Sequence, residues 1–441
     1  MRKVFSSILS SFRYSALAAV ALAVLPVWNV AGGNEGVDDR GAVRLLKTVP
    51  IPGTAANTTN GKLYRFDISF VDQATQTYYL ADPSNAVVDV VDAKAGSFVK
   101  QISGGFKGIA VVGGVVQGGQ SGPNGVVAAF PWLFVTDAPS RVVSIDLRTD
   151  TVVSSVSTGG ADNFRADELA YDPKDGLLLV INPNDSPPFG TLITVNTANG
   201  HLTVGMKIPL PFATNGAEQP VWDPSTGKFY LSIPQIGLNP KDGGVVRIDP
   251  NTAMVETTYA VEHCGPGGLT VGPRHDVLSP RHDLLIGCGM VFDTSGNVWD
   301  PSGTVTAAPK DVILDVLTGG TTDVPGAGAG DEVSFNSGDG KYYATGSGSP
   351  LRPTPSSAAQ GATVLAVIDA EDRNLIQLLP TFNVPAVGTG NSTTQHPAGT
   401  AHSVAVNAKN NYVFVPLAAN NVFPNCLTGC IAVFVRSSKV Q

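Results

Sequence analysis

The stretch ADELAYDPKDGLLLVINP, residues 166–183, decides the fold. It reads as a short apolar strand, a turn built on an Asp-Pro pair, and a second apolar strand, which is the pattern of a β-hairpin. The pattern recurs most clearly as AEQPVWDPSTGKFYLSIP (217–234), GDEVSFNSGDGKYYATGS (330–347) and AHSVAVNAKNNYVFVPLA (401–418). Weaker copies lie at 66–83, 124–139 and 267–289. Recurrence at this spacing predicts an architecture of repeated units.

A second hairpin follows most copies of the first. These second hairpins lie at 86–102, 141–156, 191–208, 244–261, 311–324 and 363–379. Four antiparallel strands per unit are typical of a propeller blade. The seven units therefore predict an all-β protein with a single seven-bladed β-propeller of four-stranded blades. An open solenoid is the alternative, but it needs capping units that the sequence does not show.

The last unit lacks a fourth strand, because the chain ends soon after GCIAVFV (429–435). The segment AVRLLKTVPIP (42–52), ahead of the first hairpin, resembles the outer strand HLTVGMKIPLP (201–211). We therefore expect the N-terminal segment to supply the missing outer strand and close the ring. A closed ring leaves no open edge for another chain to pair with, so we expect a monomer.

Two blocks of sequence resemble a known repeat family. LFVTDAPSRVVSIDLRTDTVVSSVSTG (133–159) and HSVAVNAKNNYVFVPLAANN (402–421) are similar to YVTN or YncE-like propeller repeats. The resemblance extends over nearly the whole chain after the N-terminal segment and implies the same propeller fold. It implies little about activity, since propellers serve as enzymes, binding proteins and scaffolds alike.

The N-terminus has the pattern of an export signal. Arg2, Lys3 and Arg13 precede the apolar run ALAAVALAVLPVWNV (16–30), and small residues follow it. We interpret residues 1–32 as a signal peptide and 33–441 as the mature propeller domain. A retained anchor is the alternative, but the apolar run is shorter than the ~20 residues that span a bilayer. The sequence thus predicts a periplasmic or secreted protein with no membrane span after cleavage.

The four cysteines fall into two local pairs, Cys264 with Cys288 and Cys426 with Cys430. In an oxidising compartment, two disulfides are the default, and the CLTGC spacing (426–430) fits a metal clip less well. The formal net charge of −8 disfavours nucleic acid as a partner, because nucleic-acid sites are basic. A small ligand or another protein remains as the expected partner.

Polar residues at the starts of the inner strands are the candidate site, since these positions converge at one mouth of a propeller channel. Aligned copies place acids or a histidine there: Asp67, Asp167, Glu218, Asp331 and His402. The next position and less certain alignments add Asn124, Glu168, Gln219, Glu332 and His396. Such residues suit a small ligand or a hard cation such as calcium, with Asp67, Asp167, Glu218 and Asp331 as metal ligands. The alternative is structural: the acids pair with Arg65 and Arg165 and hold the blades together.

Two functions follow from these residues. The first is a binding or scaffolding protein that presents its loop-rich mouth to a small ligand or protein partner, because no complete catalytic motif is present. The second is a metal-assisted hydrolase or lyase, similar to lactonase-like propellers such as gluconolactonases and streptogramin lyases. There His402 would serve as the base beside a divalent cation. No other cofactor is expected.

Overall fold

A computed structural model describes residues 41–161, 163–274, 281–299, 309–328, 330–346, 364–381 and 401–436. Within these ranges the chain forms seven antiparallel four-stranded sheets, one small hairpin and one short 3₁₀-helix. The seven sheets are the blades of a β-propeller, so the predicted fold class is confirmed. The predicted signal peptide, residues 1–32, lies outside the described residues.

The strands are numbered in chain order. Strand β1 is Val43–Pro50, and the first blade contains β2 (Ser69–Asp72), β3 (Thr77–Asp82), β4 (Val87–Asp92) and β5 (Ser97–Ile102). A small hairpin of β6 (Val111–Val112) and β7 (Val115–Val116) and the 3₁₀-helix Gly118–Gln120 come next. The second blade contains β8 (Val126–Ala129), β9 (Trp132–Asp137), β10 (Arg141–Asp146) and β11 (Thr151–Ser157). The third contains β12 (Leu169–Asp172), β13 (Leu177–Asn182), β14 (Phe189–Val195) and β15 (Leu202–Pro209).

The remaining blades repeat this order from the inner strand outward. The fourth contains β16 (Pro220–Asp223), β17 (Lys228–Ile233), β18 (Asp242–Asp249) and β19 (Met254–Glu262). The fifth contains β20 (Cys264–Arg274), β21 (His282–Val291), β22 (Lys310–Asp315) and β23 (Thr321–Pro325). The sixth contains β24 (Gly330–Asn336), β25 (Lys341–Gly346), β26 (Val364–Asp369) and β27 (Asn374–Pro380). The seventh contains β28 (Ala405–Asn407), β29 (Tyr412–Leu417) and β30 (Cys430–Arg436), completed by β1.

The N-terminal strand closes the ring as predicted. Strand β1 runs antiparallel to β30, in a register that pairs Val43 with Arg436 and Pro50 with Cys430. It thereby satisfies the backbone groups of the outermost C-terminal strand, which would otherwise form an open edge. The seam is also packed from inside, where Tyr78 of the first blade contacts Phe414 of the last, with ring centroids 5.1 Å apart.

The hairpin turns explain the Asp that ends the inner strand of the first, third and fourth blades. The Asp72 carboxylate accepts a hydrogen bond from the backbone N–H of Ala74 at 2.9 Å, and Asp172 and Asp223 do the same two residues on. An aspartate that bonds the backbone two residues ahead favours a tight turn. The conserved shape of the repeat thus comes from local turn chemistry and from apolar strands that pack blade against blade.

Both predicted disulfides are confirmed. Cys264 bonds to Cys288 across the two inner strands of the fifth blade, and Cys426 bonds to Cys430 in the loop that enters β30. Neither pair is a metal clip. In the part of the chain that is described, no helix has the length and hydropathy needed to cross a bilayer.

Candidate functional site

The starts of the inner strands meet at one end of the ring and enclose a cavity of about 300 Å³, here called the mouth cavity. Six predicted site residues line it: Asp67, Glu168, Glu218, Asp331, Glu332 and His402. They come from five blades, so the convergence that the repeat alignment predicts is present in the structure. His396, also a predicted ligand-binding residue, lies outside the described residues.

A larger cavity of about 910 Å³, here called the side cavity, adjoins the mouth. Arg165, Glu218 and Asp331 line both cavities, whereas Asp167 lines only the side cavity. Its wall is rich in proline and glycine, with Pro183, Pro187, Pro188, Pro211, Gly216 and Pro234 in loops and Gly265, Pro266 and Gly267 in strand β20. Volumes of this order are typical of small-molecule sites. This cavity was not predicted from the sequence, because its walls combine loops and strand ends of several blades that share no repeat position.

Arg165 is the centre of the mouth. Its Nη1 donates to Asp67 Oδ2 at 2.6 Å and to Asn124 Oδ1 at 3.1 Å, and its Nη2 lies 2.5 Å from Asp167 Oδ2. These contacts link the entries of the first, second and third blades. Arg65 adds a longer contact of 3.9 Å to Asp67 Oδ2. The structural interpretation of Asp67 and Asp167 as partners of nearby arginines therefore fits the geometry.

The side-chain amides of Asn124 and Gln219 form hydrogen bonds at both ends within the mouth. The Asn124 amide donates to the Ser121 carbonyl at 2.9 Å while its oxygen accepts from Arg165. The Gln219 amide donates to Glu332 Oε2 at 2.7 Å, and its oxygen accepts from the backbone N–H of Leu269 at 2.6 Å. With both ends bonded, these amides position other side chains in the mouth.

His402 lies against the first blade. Its Nε2 is 3.7 Å from Asp67 Oδ1, and its ring stacks on Phe66 at a centroid distance of 4.6 Å and an interplanar angle of 7°. The stacking holds the imidazole edge toward the carboxylates. This orientation gives His402 access to the mouth cavity without making it part of the Arg165 network.

The two acids that Arg165 joins differ in charge state. Burial would raise the pKa of Asp67, but the guanidinium of Arg165, with His402 and Arg65, lowers it to about 2. Burial raises the pKa of Asp167 to about 7 against the opposing effect of Arg165, and the neighbouring charge of Asp67 adds to the rise. One arginine thus keeps Asp67 ionised but does not fully compensate Asp167.

Three glutamates of the mouth hold their protons more tightly than ordinary glutamates do. Burial is the main cause that raises the pKa of Glu218 to about 8, and Asp167 and Asp331 add to it. The pKa values of Glu168 and Glu332 are raised well above their ordinary range by burial and by mutual repulsion with other mouth acids. The mouth is therefore a cluster of acids with fewer cations than it needs.

Two carboxyl oxygens in this cluster have no hydrogen-bond partner among the described residues. They are Asp167 Oδ1 and Glu168 Oε2, on side chains whose residues are only 3% and 7% exposed. Buried polar atoms in native proteins nearly always have partners, so unpaired ones mark places where a donor belongs. One of these residues lines the side cavity and the other the mouth cavity.

The acids do not form a ready-made metal centre. Within the described ranges, no three His, Cys, Asp or Glu side chains are placed so that they could hold a metal ion. Two of the four predicted metal ligands, Asp67 and Asp167, are engaged by Arg165 instead.

Arg165 is the functional residue whose importance the sequence understated. Arg65 and Arg165 each stand two residues before an acid, Asp67 and Asp167, at the same place in two copies of the repeat. That shared spacing is the signal that an arginine belongs to the mouth. Only the ring geometry reveals that Arg165 reaches back to the first blade.

Below the mouth, the inner strands enclose the central channel, a cavity of about 450 Å³ lined by residues of all seven blades. Apolar residues such as Val126, Leu169 and Val333 follow directly after the mouth positions in sequence and line this channel. Val116, from the small hairpin β6–β7, reaches the mouth cavity from above. The acidic mouth therefore lies between an apolar channel and a surface hairpin.

Comparison with known proteins supports the fold. The chain is similar to a solved structure of hydrazine synthase from Kuenenia stuttgartiensis, with a TM-score of 0.59 and 13% sequence identity over 89% of this chain and 99% of that chain. At this identity the likeness shows the propeller fold alone. Neither a protein-family model nor a curated protein sequence matches the chain. The chain is thus a seven-bladed β-propeller, and its closer resemblance to YVTN or YncE-like repeats stays a prediction.

Proposed function

We propose that this propeller is a binding protein that takes a small ligand at its acidic mouth. The observation that carries the proposal is the pair of unpartnered carboxyl oxygens, Asp167 Oδ1 and Glu168 Oε2, on buried residues beside two connected cavities. Buried acceptors in native proteins nearly always have a partner. Acids left unpaired beside a cavity are instead poised for a donor that arrives from outside.

The same features favour a ligand over a large protein partner. The mouth and side cavities together are concave and have a size that suits a small molecule. The wall prolines fix the shape of the side cavity before any ligand arrives, which lowers the entropy lost on binding. Two disulfides are compatible with action outside the cytoplasm, so we place this binding in the periplasm or the extracellular space.

The test is a thermal-shift screen of the purified protein with cationic, neutral and anionic small molecules. Glu218→Gln is the variant, because Glu218 lines both cavities. Asp175→Asn is the matched control, because Asp175 is exposed in the turn at the far end of its blade. The proposal expects a compound that stabilises wild type and the control but not Glu218→Gln. Equal shifts in all three proteins, or no shift with any compound, would contradict it.

A hydrolase or lyase is the second candidate, and one observation favours it. Asp67 and Glu218 share a cavity, yet the pKa of Asp67 lies near 2 and that of Glu218 near 8. Acids with such separated pKa values are able to divide the roles of base and acid. In this reading Glu218 is the proton donor, and His402, 3.7 Å from the ionised Asp67, is the proton acceptor.

The enzyme reading is tested by turnover of a panel of lactones and esters. Wild type is compared with His402→Gln, with metal content measured by mass spectrometry and melting recorded with and without a chelator. Turnover that His402→Gln abolishes while the fold is kept supports the enzyme. A tightly held calcium ion whose removal lowers the melting temperature supports the metal-assisted form. Absence of turnover for every substrate in the panel counts against the enzyme function.

A further inference from the structure

We infer that the ligand is an aliphatic diamine or polyamine, with one ammonium group in the mouth cavity and another in the side cavity. This inference rests on the proposed binding function and names the class of ligand. It follows from three features of the described residues: the two unpartnered oxygens, the charge balance of the mouth, and the way the two cavities join.

The two oxygens without partners among the described residues could accept hydrogen bonds from a ligand. Both Asp167 Oδ1 and Glu168 Oε2 are acceptors once their carboxyl groups are ionised, and an ammonium group carries three donors and no acceptor. The terminal torsion of a carboxyl side chain is soft, so either oxygen can turn to a donor in the adjoining cavity. Ammonium–carboxylate hydrogen bonds are about twice as strong as neutral ones, which offsets the burial of the charge.

The number of acids in the mouth favours a ligand with more than one positive charge. Among the described residues, five acids line the mouth cavity and Asp167 lies next to it, whereas the arginines in these two linings are Arg65 and Arg165. Arg165 is already shared between Asp67 and Asp167. Burial and repulsion raise the pKa values of Glu168, Glu218 and Glu332, so these acids hold protons that a bound ammonium group would displace, and one ammonium group supplies a cation to only one of the two cavities.

Each of the two cavities contains acids that could bind one ammonium group. Glu168 lines the mouth cavity and Asp167 the side cavity, and the boundary between the cavities is formed by Arg165, Glu218 and Asp331. A ligand with two separated ammonium groups satisfies both sides, with Glu218 and Asp331 near its middle. Its methylene chain would contact apolar surface, which Val116 and Phe66 supply in the mouth and the prolines supply in the side cavity.

The experiment is isothermal titration calorimetry of the full mature protein at neutral pH and low salt. The probes are 1,4-diaminobutane and spermidine, with butylamine and calcium chloride as matched controls. We expect the diamine and triamine to bind at least about tenfold more tightly than butylamine, since the second ammonium adds a charge-assisted hydrogen bond.

Three variants locate the binding. Glu168→Gln removes the charge of one acid and keeps its shape, Glu218→Gln does so at the boundary, and Asp175→Asn is the exposed control. Each mouth variant is expected to weaken diamine binding by about tenfold or more. The control should bind as wild type does. Because these are near-isosteric changes, circular dichroism and melting confirm that each variant is folded before titration.

The outcomes separate this inference from the proposed function. Diamine binding equal to butylamine binding overturns the inference, and so does binding of calcium in preference to both amines. If no amine binds but another small molecule stabilises wild type and not Glu218→Gln, the inference fails while the binding function stands. If diamines bind equally to wild type and both mouth variants, the mouth is not the diamine site and the inference fails, while the binding function is decided by the thermal-shift screen.

Discussion

The guanidinium group of Arg165 lies 2.6 Å from the carboxylate of Asp67, although 98 positions of sequence separate the two residues. Asp67 stands at the entry of the first blade and Arg165 at the entry of the third. The same guanidinium contacts Asn124 at the entry of the second blade. The Arg165 side chain therefore connects three blades at the mouth. It also lowers the pKa of Asp67.

Replacement of Arg165 is expected to destabilise the fold. Arg165→Met keeps much of the side-chain volume but leaves Asp67 and Asp167 buried without their cation. Loss of one partner from a buried ion pair typically costs about 3–5 kcal/mol. We expect a decrease of about 3 kcal/mol in the free energy of unfolding, measured by urea titration followed by tryptophan fluorescence.

The matched control for that variant is Lys100→Met. Lys100 and Asp150 form an ion pair at 2.7 Å, but their side chains are 39% and 36% exposed. Exposed pairs contribute about 0–1 kcal/mol, so the control should change stability little. Equal losses in the two variants would show that Arg165 acts as an ordinary surface cation, against the role given to it here.

The stability of the ligand-free protein should fall as pH rises from about 5 to about 8. A carboxyl group whose pKa is raised in the folded state binds its proton more tightly there than in the unfolded chain. Its contribution is therefore full below its ordinary pKa and is lost as pH rises through the folded value. The pKa of Glu218 is raised from 4.5 to about 8 and that of Asp167 to about 7, so both act within this range.

Glu218→Gln isolates one part of this pH dependence. Other buried acids such as Asp311, whose pKa burial raises to about 7, give the same sign, so only the difference between wild type and variant is diagnostic. We expect that difference to change by roughly 1 kcal/mol across the range, a figure discounted for the solvent that reaches Glu218. Parallel curves of unfolding free energy against pH for the two proteins would contradict the assignment.

Removal of the N-terminal strand should open the ring. A chain that begins at residue 53 lacks β1 and exposes the edge of β30, which pairs with β1 from Val43 to Pro50. Open edges promote pairing between chains, so we expect a lower melting temperature and self-association in light scattering. The control is the chain that begins at residue 33. A truncated protein that stays monomeric with an unchanged melting temperature would show that β1 is dispensable.

The fold could be predicted from the sequence because each blade repeats local chemistry. The apolar alternation in residues 166–183 and the turn aspartates such as Asp172 specify a hairpin wherever they occur. The closure by β1 followed from a count of strands and from the likeness of 42–52 to 201–211. These signals are local or periodic, so a single sequence contains them.

The site was predicted only in part, for a physical reason. Residues at equivalent repeat positions, such as Asp67 and Glu218, converge because the ring has rotational symmetry, and the alignment finds them. The reach of Arg165 across three blades depends on side-chain length, and the proline walls of the side cavity depend on how loops and strand ends of several blades meet. Neither has a periodic signature, so the sequence could not distinguish acids that pair with arginine from acids that stay unpaired.

In our proposal, the mouth acids serve to bind a ligand and do not stabilise the ligand-free fold. The most direct measurement is the free energy of unfolding of Glu168→Gln and wild type, both without ligand at slightly alkaline pH. Because Glu168 is buried among like charges and one of its oxygens has no partner among the described residues, a neutral amide should relieve repulsion. We expect the variant to be more stable than wild type by about 1 kcal/mol. A variant less stable by that amount would show that Glu168 is a structural group and would contradict the claim.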